Sequence, residues 1–293
     1  MDDLSPVLAS TSLYAPASRL PPSQKADIIA AAESFVESAF AHHDPSHDYH
    51  HVHRVRLLAL SLTRSPEAGA VDKLVVELGA LFHDLTDAKY SSSTTPSSVL
   101  APFWADPVCS GVTRGQRESV EHIVSNVSWS KDERRRRTPP HHRTEHDTQL
   151  QSWLDSCREF HCVSDADRLD AIGSIGVLRC AAYSAKVNRP LYVPPNNPTD
   201  NPVPPAEQAE GYNGSAVGHF YEKLLKIRGD RLYTIAGRNE AERRQGAMRA
   251  FLDELDLEWL VGKQGSEMAL LEDEEEEEGE EFHEEQGTNG VQA

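Results

Sequence analysis

Histidine and aspartate recur on three stretches of this 293-residue chain that have an apolar helical pattern. His51 is in register with the apolar residues of its stretch, and the pair His83-Asp84 ends a second one. Asp167 and Asp170 lie on a third. Polar groups on buried helix faces cost free energy unless a hydrogen bond or a bound ion compensates them, so these residues are candidates for binding one shared cation. Imidazole and carboxylate together suit manganese, iron, zinc or nickel better than magnesium. The spacing therefore predicts a divalent metal site.

Each of these residues also has an ordinary structural interpretation. A single inward histidine is commonly a hydrogen-bonded core residue, and a buried aspartate is commonly a cap or an ion-pair partner. The segment "DADRLD" (165–170) could start a helix with acids at favourable dipole positions. The metal hypothesis rests on the combination and its order along the chain.

Apolar residues at three- and four-residue steps indicate the elements that must position these groups. Helices are predicted around residues 23–40, 48–62, 71–85, 118–127, 153–187, 217–225 and 247–255. No alternating strand pattern occurs, so the predicted fold is an all-α helical bundle. The predicted domain organisation is a flexible N-terminus (1–22), a helical domain (23–261) with polar loop insertions at 131–149 and 193–208, and a disordered acidic tail (262–293).

The formal charge of −18 comes largely from the tail. Residues 272–285 contribute eleven acids, and without them the body carries −7. The body therefore offers no large basic field for duplex DNA or for a membrane surface. The N-terminus shows no secretion signal and no apolar run could span a bilayer, which predicts a cytoplasmic protein. The run "RRRR" (134–137) leaves nuclear import as an alternative to a solvated loop.

Four segments resemble one branch of the HD superfamily of metal-dependent phosphohydrolases, the bacterial YpgQ/YedJ-type proteins. They are "HDYHHVHRV" (47–55), "FHDLTDAK" (82–89), "DADRLDAIGSIGVLR" (165–179) and "HFYEKLL" (219–225). The resemblance spans roughly residues 25–258, and the third motif is the most specific. The two polar insertions and the acidic tail depart from the bacterial pattern. Because of these differences, substrate selection and oligomer contacts cannot be inferred from the resemblance.

The resemblance implies a role for particular side chains. It assigns the metal ligands to His51, His83, Asp84 and Asp167, with Asp165 as the alternative last ligand. It also implies a bundle of the HD-domain type.

Side chains near these ligands are candidates for the chemistry. Asp87 lies one turn beyond His83 and could orient or deprotonate the attacking water. Lys89 and Arg54 could neutralise phosphate oxygens, and Lys223 or Arg168 are further candidates for contacts with the substrate.

The branch implies hydrolysis of nucleoside triphosphates, deoxynucleotides preferred, to monophosphate and pyrophosphate. Manganese is the expected activator, with iron, nickel, zinc and magnesium as alternatives. The expected partner is a nucleotide or another phosphorylated small molecule, and the oligomeric state is not indicated. No Gly-rich phosphate loop occurs, so phosphate binding would depend on the metal and side chains.

Three alternatives stay open. One is a phosphatase or phosphodiesterase on the same scaffold. Another is a dinuclear oxygenase, for which His122 is the only helical candidate for an extra ligand. The third is a non-catalytic binding module, whose acidic tail would bind a basic partner.

Overall fold

The computed structural model describes residues 20–65, 69–86, 95–193, 208 and 211–288, with side chains up to residue 276. Within these ranges the chain forms α-helices and short 3-10 turns and no β-strand, which confirms the all-α prediction. The α-helices are α1 (Pro22–Phe40), α2 (Tyr49–Leu62), α3 (Lys73–Phe82), α4 (Pro96–Trp104), α5 (Arg114–Asn126), α6 (Trp129–Arg137), α7 (Glu145–Ser156), α8 (Arg158–Asp170), α9 (Gly173–Lys186), α10 (Ala216–Glu222) and α11 (Ile235–Thr288).

Helix α3 is the central helix of the bundle. Every residue from Leu74 to Phe82 is buried, and α3 packs against α1, α2, α5 and α8. The carboxylate of Asp72 accepts hydrogen bonds from the amides of Leu74 and Val75, which fixes where the helix begins. Since α2 packs against both α3 and α8, the three helices that carry the predicted ligands are mutual neighbours.

The single long helix predicted for 153–187 is wrong. The structure divides this stretch among α7, α8 and α9, with extended backbone at Cys157 and Ile172. Gly173 follows with a φ of +75°, a left-handed conformation that glycine adopts without strain. The chain therefore turns sharply after α8, and periodicity alone did not show this because apolar residues continue on both sides of the break.

The polar insertion predicted as a loop at 131–149 is also different in the structure. It contains most of α6 and the start of α7. The reason is tertiary: Asp132 of α6 is buried and forms ion pairs with Arg136, Arg168 and Arg231. The cations that made this segment look solvated are thus partly satisfied by a buried carboxylate.

The remaining predicted boundaries lie at the ends of the domain and in the second insertion. Residues 1–19 and 194–207 lie outside the described residues. Where a disordered tail was predicted from residue 262, the structure continues α11 to Thr288, with the side chains of 264–276 all exposed. Among the described helices, none is long and apolar enough to cross a lipid bilayer.

Candidate metal centre

Four of the predicted ligands meet where α2, α3 and α8 come together. The Nε2 atoms of His51 and His83 are 3.2 Å apart. One carboxylate oxygen of Asp84 lies 3.3 Å from the first nitrogen and 3.5 Å from the second. An oxygen of Asp167 lies 3.8 and 3.6 Å from the same two atoms. Both histidines are buried, whereas the two aspartates are partly open to solvent.

These separations are close to those of ligands that share one cation. Ligand atoms about 2.1 Å from a metal lie about 3.0 to 3.4 Å from one another at right or tetrahedral angles, so Asp167 would need to move inward by a few tenths of an ångström. His51, His83 and Asp167 each offer an atom to a common point, with all three atoms within 4.8 Å of one another. The mixed nitrogen and oxygen donor set suits a divalent transition metal.

The tautomers of both histidines also fit a cation. Nδ1 of His83 is 2.8 Å from the carbonyl oxygen of Ala80, and Nδ1 of His51 is 2.7 Å from a carboxylate oxygen of Asp170. Because each Nδ1 must donate its hydrogen there, each Nε2 presents a lone pair to the cluster. Two nitrogen lone pairs and two carboxylates then face one another, which is unfavourable without a positive charge between them.

The electrostatics of the cluster show the same need for positive charge. Burial lowers the pKa of His83, but the charge of Asp84 and the hydrogen bond to Asp167 outweigh it and raise that pKa to about 9. Burial would raise the pKa of Asp84, but the neighbouring His83 and His51 hold it well below its usual range. A proton or a metal ion is therefore favoured at this point.

Asp170, which the sequence placed among the inward polar groups without a specific role, supports the cluster through His51. Asp170 is buried and accepts from Nδ1 of His51, from Nε of Arg54 at 2.8 Å and from Nη2 of Arg54 at 3.0 Å. Nη1 of Arg179 adds a fourth contact at 3.2 Å. Burial opposes ionisation, but the hydrogen bonds from His51 and Arg54 outweigh it, so the pKa of Asp170 is far below its usual range. Asp170 follows Asp167 by three residues and so lies on a neighbouring face of α8, which is why the sequence grouped the two acids together.

Asp165, the alternative ligand, points to a different part of the molecule. Its carboxylate accepts from the backbone amide of Tyr233 at 2.9 Å and from the amide and hydroxyl of Thr234, both at 2.8 Å. Thr234 in turn caps α11 through the amide of Gly237. Asp165 thus ties α8 to the start of α11.

This arrangement predicts a clear outcome for Asp165→Ala. Buried amides that lose their acceptor cost about 1 to 3 kcal/mol each, so we expect the free energy of unfolding to fall by about 2 to 4 kcal/mol. Metal affinity should change by less than about threefold, because the histidine cluster is untouched. Urea denaturation and metal titration measure the two quantities. Loss of metal binding at unchanged stability would instead make Asp165 a ligand.

The remaining predicted site residues differ in their surroundings. Arg54 forms the two-point contact with Asp170, so two of its nitrogens are engaged there. Arg168 is buried, with Nη2 3.3 Å from Asp132. Lys223 lies 6.0 Å from the ring of Trp129. Asp87 and Lys89 lie outside the described residues.

Comparison with known proteins agrees with this geometry. No family model matches the chain. YpgQ of Bacillus subtilis is 28% identical over 223 residues, which cover 76% of this chain and 89% of YpgQ. The crystal structure of YpgQ in complex with ADP matches with a TM-score of 0.54 and 25% identity, over 78% of this chain and 97% of that one.

Two further crystal structures have the same fold. A protein from Lactobacillus plantarum matches with a TM-score of 0.57 and 25% identity, over 83% of this chain and all of that one. An HD-superfamily hydrolase from Bacillus thuringiensis matches with a TM-score of 0.52 and 27% identity, over 80% of this chain and 98% of that one. With the buried cluster of histidine and aspartate, these similarities indicate a metal-dependent hydrolase. The chain is therefore similar to the HD superfamily, and its sequence match to YpgQ supports the YpgQ-type branch.

Proposed function

We propose that this chain hydrolyses nucleoside triphosphates to monophosphate and pyrophosphate, with deoxynucleotides preferred and manganese as activator. The observation that carries the proposal is the convergence of four side chains. The Nε2 atoms of His51 and His83 lie 3.2 Å from each other and 3.3 to 3.8 Å from carboxylate oxygens of Asp84 and Asp167. A divalent cation bound there would withdraw charge from a phosphoryl oxygen and make a water molecule more acidic.

The chain's own residues would orient the reaction. Asp170 and the carbonyl of Ala80 hold the two imidazoles in the tautomer that directs Nε2 to the cluster. Asp84 and Asp167 are 18% and 24% exposed, so the carboxylate side of the cluster is the side that a substrate can reach. In this proposal Asp87 orients the water and Lys89 neutralises a phosphate oxygen, as their positions shortly after His83 in the sequence predict.

Cations beside Trp129 are the proposed contacts with the triphosphate. The guanidinium of Arg168 lies 6.0 Å from the Trp129 ring, and its Nε and Nη1 are buried without a hydrogen-bond partner among the described residues. Lys223 approaches the same ring. Buried donors that lack an acceptor are costly, so an anionic ligand that accepts from Arg168 would be favoured.

The nucleotide class is supported by the similarity to YpgQ, whose crystal structure contains ADP. Arg54 enters this proposal as a support for Asp170, to which it donates two hydrogen bonds, and not as a phosphate contact at the cluster. Residues of the ligand cluster come from three helices, so the cluster depends on the whole bundle.

Product analysis tests the proposal. Purified wild-type protein, loaded with manganese, is given ribo- and deoxynucleoside triphosphates, with Asp84→Ala as the matched protein. We expect pyrophosphate and monophosphate from the wild type alone. Release of orthophosphate would move the assignment to a phosphatase, and cleavage of a phosphodiester alone would move it to a phosphodiesterase. No turnover with manganese, iron, nickel, zinc or magnesium would favour the non-catalytic binding module.

A further inference from the structure

A cavity lies next to Asp170, and none of the four residues of the metal cluster lines it. Its volume is about 410 Å³, and Asp170 forms part of its wall. Since Nδ1 of His51 contacts Asp170 and Nε2 faces the cluster, His51 and Asp170 separate the two spaces. The cavity is therefore distinct from the proposed hydrolytic site.

Three guanidinium groups line this cavity, those of Arg54, Arg243 and Arg244. Asp170 is the single acidic residue of the lining, and Glu240 pairs with Arg243 and Arg244 from outside it. Each arginine keeps one terminal nitrogen without a hydrogen bond to any described residue, since Arg54 uses Nε and Nη2, Arg243 uses Nε and Nη2, and Arg244 uses Nε and Nη1. In a chain with a formal charge of −18, this lining is locally positive.

The backbone adds to the positive potential. Helix α9 begins at the cavity with Gly173, and its N-cap residue Ile172 offers no side-chain acceptor to the first amides. The positive end of a 14-residue helix dipole therefore faces the same space. A Cβ at position 173 would lie 3.0 Å from Cγ of Arg244, so glycine lets this arginine approach the turn.

Part of the lining is apolar and partly open to solvent. Leu57, Leu58 and Ile175 line it, and the side chains of Leu57 and Ile175 are 53% and 36% exposed. Ligand pockets of about 300 to 1,000 Å³ hold small molecules, and an apolar wall beside a few polar groups is their usual composition. The cavity thus combines donors for an anion with a surface for a flat apolar group.

We propose that this cavity is a second ligand site, which binds a nucleotide through its phosphate on Arg54 and Arg244 and through its base on Leu57 and Ile175. The inference goes beyond hydrolysis at the metal cluster and needs neither turnover nor a metal. Because Arg54 also holds Asp170, a ligand here would share a residue with the support of His51.

Ala247 allows a matched test. This exposed residue of α11 lines the cavity, and both glutamate and glutamine are good helix formers. Binding of adenosine monophosphate and of inorganic phosphate would be measured by calorimetry on chelator-treated protein. We compare wild type, Ala247→Glu, Ala247→Gln and Asp84→Ala. A negative charge against the phosphate should weaken binding of adenosine monophosphate by about tenfold or more, whereas glutamine should change it by less than about threefold.

The outcomes separate this site from the metal cluster. We expect Asp84→Ala to bind adenosine monophosphate like the wild type, and the nucleotide to bind more tightly than inorganic phosphate because of the apolar wall. Equal affinity of wild type and Ala247→Glu would overturn the proposal. So would binding that requires added metal, or equal affinity for the nucleotide and for phosphate. Absence of triphosphate hydrolysis would leave these measurements unaffected.

Discussion

Asp84→Ala should lower kcat/KM for the hydrolysed nucleotide by about 10³-fold or more, a loss of about 4 kcal/mol in transition-state stabilisation. The carboxylate of Asp84 lies 3.3 and 3.5 Å from the Nε2 atoms of His51 and His83. Without it the cluster loses an anionic ligand and part of the field that favours a cation. Metal content after dialysis and steady-state kinetics at saturating manganese measure the two effects.

The fold should survive this change. The Asp84 side chain is partly exposed at the end of α3 and contacts the cluster rather than the apolar core. We therefore expect the melting temperature of the metal-free protein to stay within a few degrees of the wild type. Glu118→Ala is a suitable control, because the Glu118 side chain is 59% exposed and pairs with Arg114 on the surface of α5. Full turnover by Asp84→Ala would rule out the proposed cluster as the catalytic centre.

Asp170→Asn should show two effects at once. The carboxylate accepts hydrogen bonds from His51, Arg54 and Arg179. An asparagine side chain has the same shape but only one acceptor oxygen, and its NH2 group would face the donors of these residues. Breaking a buried charged pair costs about 3 to 5 kcal/mol, so we expect the free energy of unfolding to fall by about that amount. Loss of the partner that orients a metal-binding histidine should weaken metal affinity by about 10- to 100-fold.

Denaturation of the metal-free protein and manganese titration separate these effects. Asp147→Asn provides the control, since Asp147 is a carboxylate in the capping box of α7 at the surface. It should cost about 1 kcal/mol of stability and leave metal affinity unchanged. If Asp170→Asn destabilised the fold but bound manganese as tightly as the wild type, Asp170 would serve only as an ion-pair partner of Arg54 and would not support the metal site.

Some of the site followed from local pattern alone. The period of three and four residues places His51 on the buried face of α2 and His83 at the buried end of α3, and the structure has both buried. The all-α fold followed in the same way, because helical period and the absence of strand alternation depend on neighbours only a few positions apart. The resemblance then added the order of the motifs.

The contacts of the three aspartates of α8 needed the tertiary structure, whereas the choice of Asp167 as a ligand came from the resemblance. Asp165, Asp167 and Asp170 are the same residue type within six positions of one helix. Because successive residues of an α-helix are rotated by about 100° about its axis, their side chains point toward three different neighbours. Asp165 meets the start of α11, Asp167 meets the two histidines, and Asp170 meets α2. Residues 51 and 170 are 119 positions apart, so no local pattern could join them.

The sequence by itself determined that this chain is helical, that histidines lie on buried faces, and that its motifs resemble the HD superfamily. Only the tertiary structure decided what each aspartate of α8 contacts, that the polar segment around Asp132 is helical, and that Arg54 donates to Asp170. The physical reason is the same each time. Period and composition fix the face on which a side chain lies, whereas the packing of distant helices fixes what it contacts there.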